Sequence, residues 1–175
     1  MPKLNSTTII LIGTFVLLVG IFSWQYWSKA STQKQATVQK QFISDFSVDA
    51  VTELSITKGD TTTTLQKQSD QWVITSNNNV AADDSAIKAL LNTLHDSTIQ
   101  ATITNTTDQA ELYGLDQAQV IHIVAKNNGQ TVADVQVGKI GKAYNTWYGT
   151  RNTDQTVYLL SGSHTSLVND KWENV

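Results

Sequence analysis

The sequence contains no cysteine, and that absence removes several classes of protein at once. A disulfide scaffold, a lipid-modified N-terminal cysteine, a thiolate zinc site and a cysteine nucleophile are all excluded. Acidic residues are missing from the first 44 positions: all 15 lie at or beyond Asp45, whereas Lys3, Lys29, Lys34 and Lys40 precede it. Residues 42–175 therefore carry 15 acids against eight bases, a net charge of −7. A domain of that charge is repelled by phosphate backbones and by anionic lipid heads, so nucleic acid is not an expected partner. Charged residues are scarce overall (15%). With abundant Thr, Gln, Asn and Ser in their place, the pattern is that of a polar surface laid over β structure.

One long apolar run is present. Ile9 to Phe22 is interrupted only by Thr14, and Trp24, Tyr26 and Trp27 follow it. As a helix, Ile9 to Trp27 spans roughly 28 Å at about 1.5 Å per residue, close to the thickness of a bilayer's hydrocarbon core. The three aromatics suit the membrane interface, where amphipathic rings sit at headgroup depth. A cleaved signal peptide is the competing reading. Its apolar core has suitable length and Ser28-Lys29-Ala30 offers small residues, but bulky aromatics directly before the site oppose cleavage. Gly13 and Gly20 fall two turns apart and read as ordinary transmembrane glycines. The lysine balance of the two flanks leans towards a cytoplasmic C-terminal domain.

These features divide the chain into a short tail (1–8), a transmembrane helix (9–27), a polar stalk (28–41) and a folded domain (42–175). In the domain, Thr52–Thr57, Thr61–Gln68 and the run holding Trp72 and Ile74 read as an antiparallel meander. Ile87, Leu90, Leu91 and Leu94 form one apolar stripe of a helix, with Asp83 or Asp84 to cap it. Thr98–Thr104 reads as a strand and Asp108–Leu112 as a helical turn ending near Gly114. Gln119–Lys126 and Thr131–Val137 flank Asn127-Asn128-Gly129, a tight-hairpin sequence. Tyr144–Arg151 and Gln155–Leu160 make a second hairpin, and Ser163–Val168 a closing turn. The expected fold class is α+β: an N-terminal transmembrane helix, then one mostly antiparallel β domain with one main amphipathic helix.

No catalytic or metal-binding constellation emerges. His95, His122 and His164 lie in different elements without ligand spacing. Ser161-Gly162-Ser163 lacks the glycines of a nucleophile elbow. Gly138-Lys139-Ile140-Gly141-Lys142 fails as a phosphate loop, with Gln136 at the first glycine position and Ala143 in place of Ser or Thr; a turn between strands is expected there. Asp83 and Asp84 are explained by capping, and Asp45 and Asp49 lack an apolar context. Asp116 is expected to fix the turn after Gly114. The candidate contact surface comprises Tyr113, Asp116, Trp147 and Tyr148, with an exposed Trp147 beside Lys139 and Lys142 as its first member. Alternation over Tyr144–Arg151 places Tyr144 and Tyr148 on one face and Trp147 on the other.

Taken in order, several pieces carry a likeness: Leu54-x-Ile56, Trp72-x-Ile74, Ala82-Asp83 leading into the amphipathic helix, and Tyr113-Gly114-Leu115-Asp116. Val137-Gly138-Lys139 and the Tyr148…Val157-Tyr158-Leu159 hairpin complete it. Over about residues 42–175 the chain resembles a bacterial family catalogued as domain of unknown function 4340. The resemblance implies an N-terminal membrane helix, a domain outside the cytoplasm and an accessory role beside ABC-transporter components. It therefore sets the expected topology against the lysine balance. The expectation is a single-pass protein of the bacterial inner membrane, non-enzymatic and without cofactor, whose partners are the membrane and other envelope proteins. The alternative is a glycan- or small-ligand-binding domain that uses the Trp147/Tyr148 hairpin.

Overall fold

Alternation of apolar and polar residues is the organising feature of the domain, and it produces one large antiparallel sheet. A computed structural model describes residues 40–44, 46–106, 108–152 and 154–173. The strands are β1 (Glu53–Lys58), β2 (Thr61–Gln68), β3 (Gln71–Ile74), β4 (Val80–Ala81), β5 (Ile99–Thr104), β6 (Ile121–Asn127), β7 (Gln130–Ile140), β8 (Thr146–Arg151) and β9 (Val157–Ser161). They form a nine-stranded sheet in the order β4-β3-β2-β1-β6-β7-β8-β9-β5. Every pairing is antiparallel. The helices are α1 (Asp84–Asp96) and the single turn α2 (His164–Leu167). The described residues are thus a mostly antiparallel β domain with one main helix.

The helix covers one face of the sheet. Ile87, Leu90, Leu91 and Leu94 are all buried, and they join Leu54, Ile56, Ile123, Val135 and Val137 in a common core. On the opposite face the alternate residues Ser55, Thr57, His122, Asp134 and Gln136 are half-buried and polar, the usual division of an antiparallel sheet. Asp83 caps α1 by accepting the Ser85 and Ala86 N–H groups at 2.9 and 3.2 Å. Asp84 accepts the Trp72 N–H at 3.3 Å, which ties the start of the helix to β3.

Turn chemistry sets the registers. Asn128 and Gly129 have φ of 48° and 82° and join β6 to β7 with Asn127 opposite Gln130, the two-residue hairpin turn that Asn-Gly favours. The expected turn at Gly138–Lys142 begins later than its glycines suggest. β7 runs on through Ile140, with a register shift between Val137 and Ile140, so Gly138 lies inside the strand. The expected strand start at Tyr144 is also displaced. Asn145 adopts a left-handed φ of 53°, and β8 begins at Thr146.

The C-terminal segment completes the core in a way that periodicity did not reveal. Trp172 is buried, its carbonyl accepts the Asp83 N–H at 2.8 Å, and Glu173 bridges to Ala82. Among the described residues no helix is long and apolar enough to cross a membrane. The expected transmembrane helix 9–27, the stalk up to residue 39 and the interface residues Trp24, Tyr26 and Trp27 lie outside the described residues.

Candidate functional site

The β7–β8 hairpin and the segment Tyr113–Asp116 meet backbone to backbone. The helical turn Ala110–Tyr113 ends at Gly114, whose φ of 68° is left-handed. A Cβ there would stand 2.9 Å from the Lys139 nitrogen, and one on Gly138 would stand 2.2 Å from the Tyr113 carbonyl oxygen. Both positions therefore require glycine, the first for its conformation and both for the close approach. Leu115 is buried beside Gly138. From the core side, His164 Nε2 lies 2.8 Å from the Gly138 carbonyl oxygen. The bulge in β7 is thus clasped from two directions.

Around this clasp the four candidate contact residues separate. Tyr113 and Tyr148 come together, ring centroids 5.0 Å apart and planes tilted by 51°. Asp116 is committed to its own turn: its carboxylate accepts the Ala118 N–H and the Gln119 side-chain amide, each at 3.0 Å.

Trp147 is not exposed. It is 0% accessible, its Nε1–H donates to the Ser161 carbonyl at 3.2 Å, and its ring meets Phe42 edge-on at 5.9 Å and 88°. The physical reason is space supplied by glycine. A Cβ on Gly149 would lie 2.4 Å from the indole, and one on Gly162 would lie 3.3 Å from its nitrogen. The expectation of an exposed Trp147 as first contact residue is corrected, and the hairpin offers no stacking surface through this ring. Tyr144, by contrast, is 98% exposed.

Sequence reasoning missed a second cluster, built on the only arginine of the chain. Arg151 donates from Nε to the Phe42 carbonyl at 2.8 Å. It also donates from its terminal nitrogen to Asp154 at 2.9 Å and to the Tyr158 hydroxyl at 3.2 Å. Its guanidinium stands 5.1 Å from the centroids of both the Phe42 and Tyr158 rings. Three kinds of interaction (hydrogen bond, ion pair, cation–π) converge on Arg151, and two of them, the hydrogen bond and the cation–π contact, hold Phe42, with which the domain begins. The available signal was a lone arginine together with Phe42, the first aromatic after the stalk.

The histidines are dispersed. His95 lies 2.7 Å from the carboxylate of Asp96 and edge-on to Phe46. His122 Nε2 lies 2.7 Å from Asp134 Oδ1, and Asp134 also accepts the side-chain amide of Asn152 at 3.2 Å. That pair orients an imidazole on the polar sheet face among amide side chains. No group of three or more metal-ligating side chains occurs among the described residues. The Ser85 hydroxyl, then the Ala86 N–H, hold the Asp83 carboxyl below the usual aspartate range.

A family model described as "Domain of unknown function (DUF4340)" matches residues 72–174. The chain belongs to this family. The matched span contains both halves of the clasp, α1 and the buried Trp172, whereas β1 with Leu54 and Ile56 lies before it. No curated protein and no solved structure matches the chain.

Proposed function

We propose that this DUF4340 protein is a membrane-anchored, extracytoplasmic interaction module without catalytic activity, accessory to an envelope complex of the ABC-transporter type. The observation that carries the reading is the sequence Ile9–Trp27, in which the apolar run Ile9–Phe22 and the aromatics Trp24, Tyr26 and Trp27 together reach about the thickness of a bilayer's hydrocarbon core as a helix. It stands immediately ahead of a polar stalk and a domain of this family. In this account the anchor stays uncleaved, the N-terminus is cytoplasmic and the domain faces outward. The accessory role rests on what the family resemblance implies.

Chemistry on the domain is in keeping with binding rather than turnover. Asp83, Asp84 and Asp116 spend their carboxylates on backbone N–H groups, as structural carboxylates do. The test is affinity purification of the full-length chain from its native membranes in mild detergent. Specific co-purifying membrane proteins are expected; a chain that emerges alone and monomeric contradicts the proposal.

A further inference from the structure

We propose that the tip of the β7–β8 hairpin, Lys139–Tyr144, seats in the headgroup region of an anionic lipid bilayer. The inference rests on the anchored reading above and adds a second, reversible membrane contact made by the folded domain itself.

Three observations carry it. The first is misplaced apolar surface. Ile140 and Tyr144 are 63% and 98% exposed, and Leu112, in the helical turn packed on Gly138 and Lys139, is 57% exposed. These are three of the four large exposed hydrophobics among the described residues. They are held out by structure. Gly141 N–H donates to the Thr146 carbonyl at 2.8 Å, the Thr146 hydroxyl to the Ala143 carbonyl at 2.7 Å, and the Gly162 N–H to the Asn145 carbonyl at 2.9 Å. A turn tied at three points presents Ile140 and Tyr144 rather than letting them fold back.

The second observation is charge. The domain is acidic overall, and Glu111 is exposed beside Leu112, yet within the hairpin no acid lies between Asp134 and Asp154, and Lys139 and Lys142 flank Ile140 on the tip. Lysines around an isoleucine and a tyrosine suit a bilayer interface: ammonium groups meet anionic heads while the ring lies at headgroup depth. The repulsion from the rest of the domain is screened beyond about 8 Å at physiological salt, so a projecting tip can approach where the body cannot.

The third is position. Lys40, where the stalk meets the domain, accepts the N–H of Ile99 at the start of β5, and the Phe42 N–H donates to the Ser97 carbonyl. Thr98 and Gly162 link that point to Asn145 through the Ser161 N–H to Thr98 and Gly162 N–H to Asn145 bonds. The tip therefore stands at the same end of the sheet as Lys40. Size decides against a protein partner, because a standard protein interface engages roughly 20–30 residues a side. Two apolar side chains on the tip, with Leu112 on the neighbouring helical turn, fall far short of that.

The absence of cysteine permits a direct test on the full-length chain. A fluorophore is placed at Ala143→Cys or, at the far end of β7, at Thr131→Cys. Each protein is reconstituted in phosphatidylcholine/phosphatidylglycerol vesicles with or without brominated acyl chains. Loss of fluorescence in brominated vesicles is expected at 143 and not at 131. Adding Lys139→Gln and Lys142→Gln is expected to weaken the contact by roughly fivefold per lysine. Flotation of the same vesicles reports the anchor separately. Protein that floats with an unquenched label at 143 overturns the tip contact alone, as does a label shielded from aqueous iodide yet blind to bromine, the mark of a protein partner. Protein that fails to float overturns the anchored reading and this contact with it.

Discussion

Trp147 and Tyr144 stand three residues apart on one hairpin, and they belong to different parts of the molecule. Trp147 is fully enclosed by Phe42, Gly149 and Gly162; Tyr144 touches solvent on nearly all sides. The base of the hairpin is architecture and its tip is presentation. What separates them is Asn145, whose left-handed φ ends the turn and starts the strand. An aromatic side chain says how much surface it would bury, but the local backbone decides whether it does.

The base should fail first under mutation. Trp147→Ala removes a buried indole, its edge-on contact with Phe42 and its hydrogen bond, and should cost about 3–5 kcal/mol in denaturant unfolding. Gly138→Ala drives a methyl group into the Tyr113 carbonyl oxygen, with backbone on both sides. A loss of about 1–3 kcal/mol is expected, together with separation of the Tyr113–Tyr148 pair seen in near-ultraviolet circular dichroism. Arg151→Met keeps the volume but leaves the Phe42 carbonyl without its donor and Asp154 without its cation. About 1–3 kcal/mol is expected by the same unfolding measurement.

Away from the hairpin, Asp83 offers a pH handle. Its carboxyl is depressed in the fold, so its contribution is present above the unfolded-state value and is lost as pH falls through the lower folded value. Melting temperatures of the parent and Asp83→Asn, compared between about pH 5 and pH 2, should converge at the acid end. A gap of constant size would contradict the assignment. The smallest effect belongs to the tip: Tyr144→Ser and Ile140→Ser should change stability by no more than about 0.5 kcal/mol. If either destabilises the domain as Trp147→Ala does, the contrast between base and tip is wrong.

Much of the framework was legible where one local rule acts alone. The stripe Ile87/Leu90/Leu91/Leu94 identified α1 because a helix packed on a sheet needs one apolar face. Asn128-Gly129 identified its hairpin because those residues accept positive φ cheaply. Asp116 was expected to serve its own turn and does so. What could not be read depended on partners distant in sequence. Gly138 looks like a turn residue until Tyr113 is found against it, 25 positions earlier in the chain. Alternation correctly put Trp147 opposite Tyr148 but carried no sign, and only the neighbouring glycines show which face is the core. Arg151 and Trp172 bind the two termini of the domain to its sheet, contacts that no periodicity announces.

The most direct test of the whole account concerns which side of the membrane carries the domain. Full-length protein bearing Thr131→Cys, expressed in its native host, is treated with a membrane-impermeant maleimide in intact spheroplasts and again after lysis. An extracytoplasmic anchored module predicts labelling in intact spheroplasts equal to that after lysis. Labelling that appears only once the membrane is broken would place the domain in the cytoplasm and contradict it.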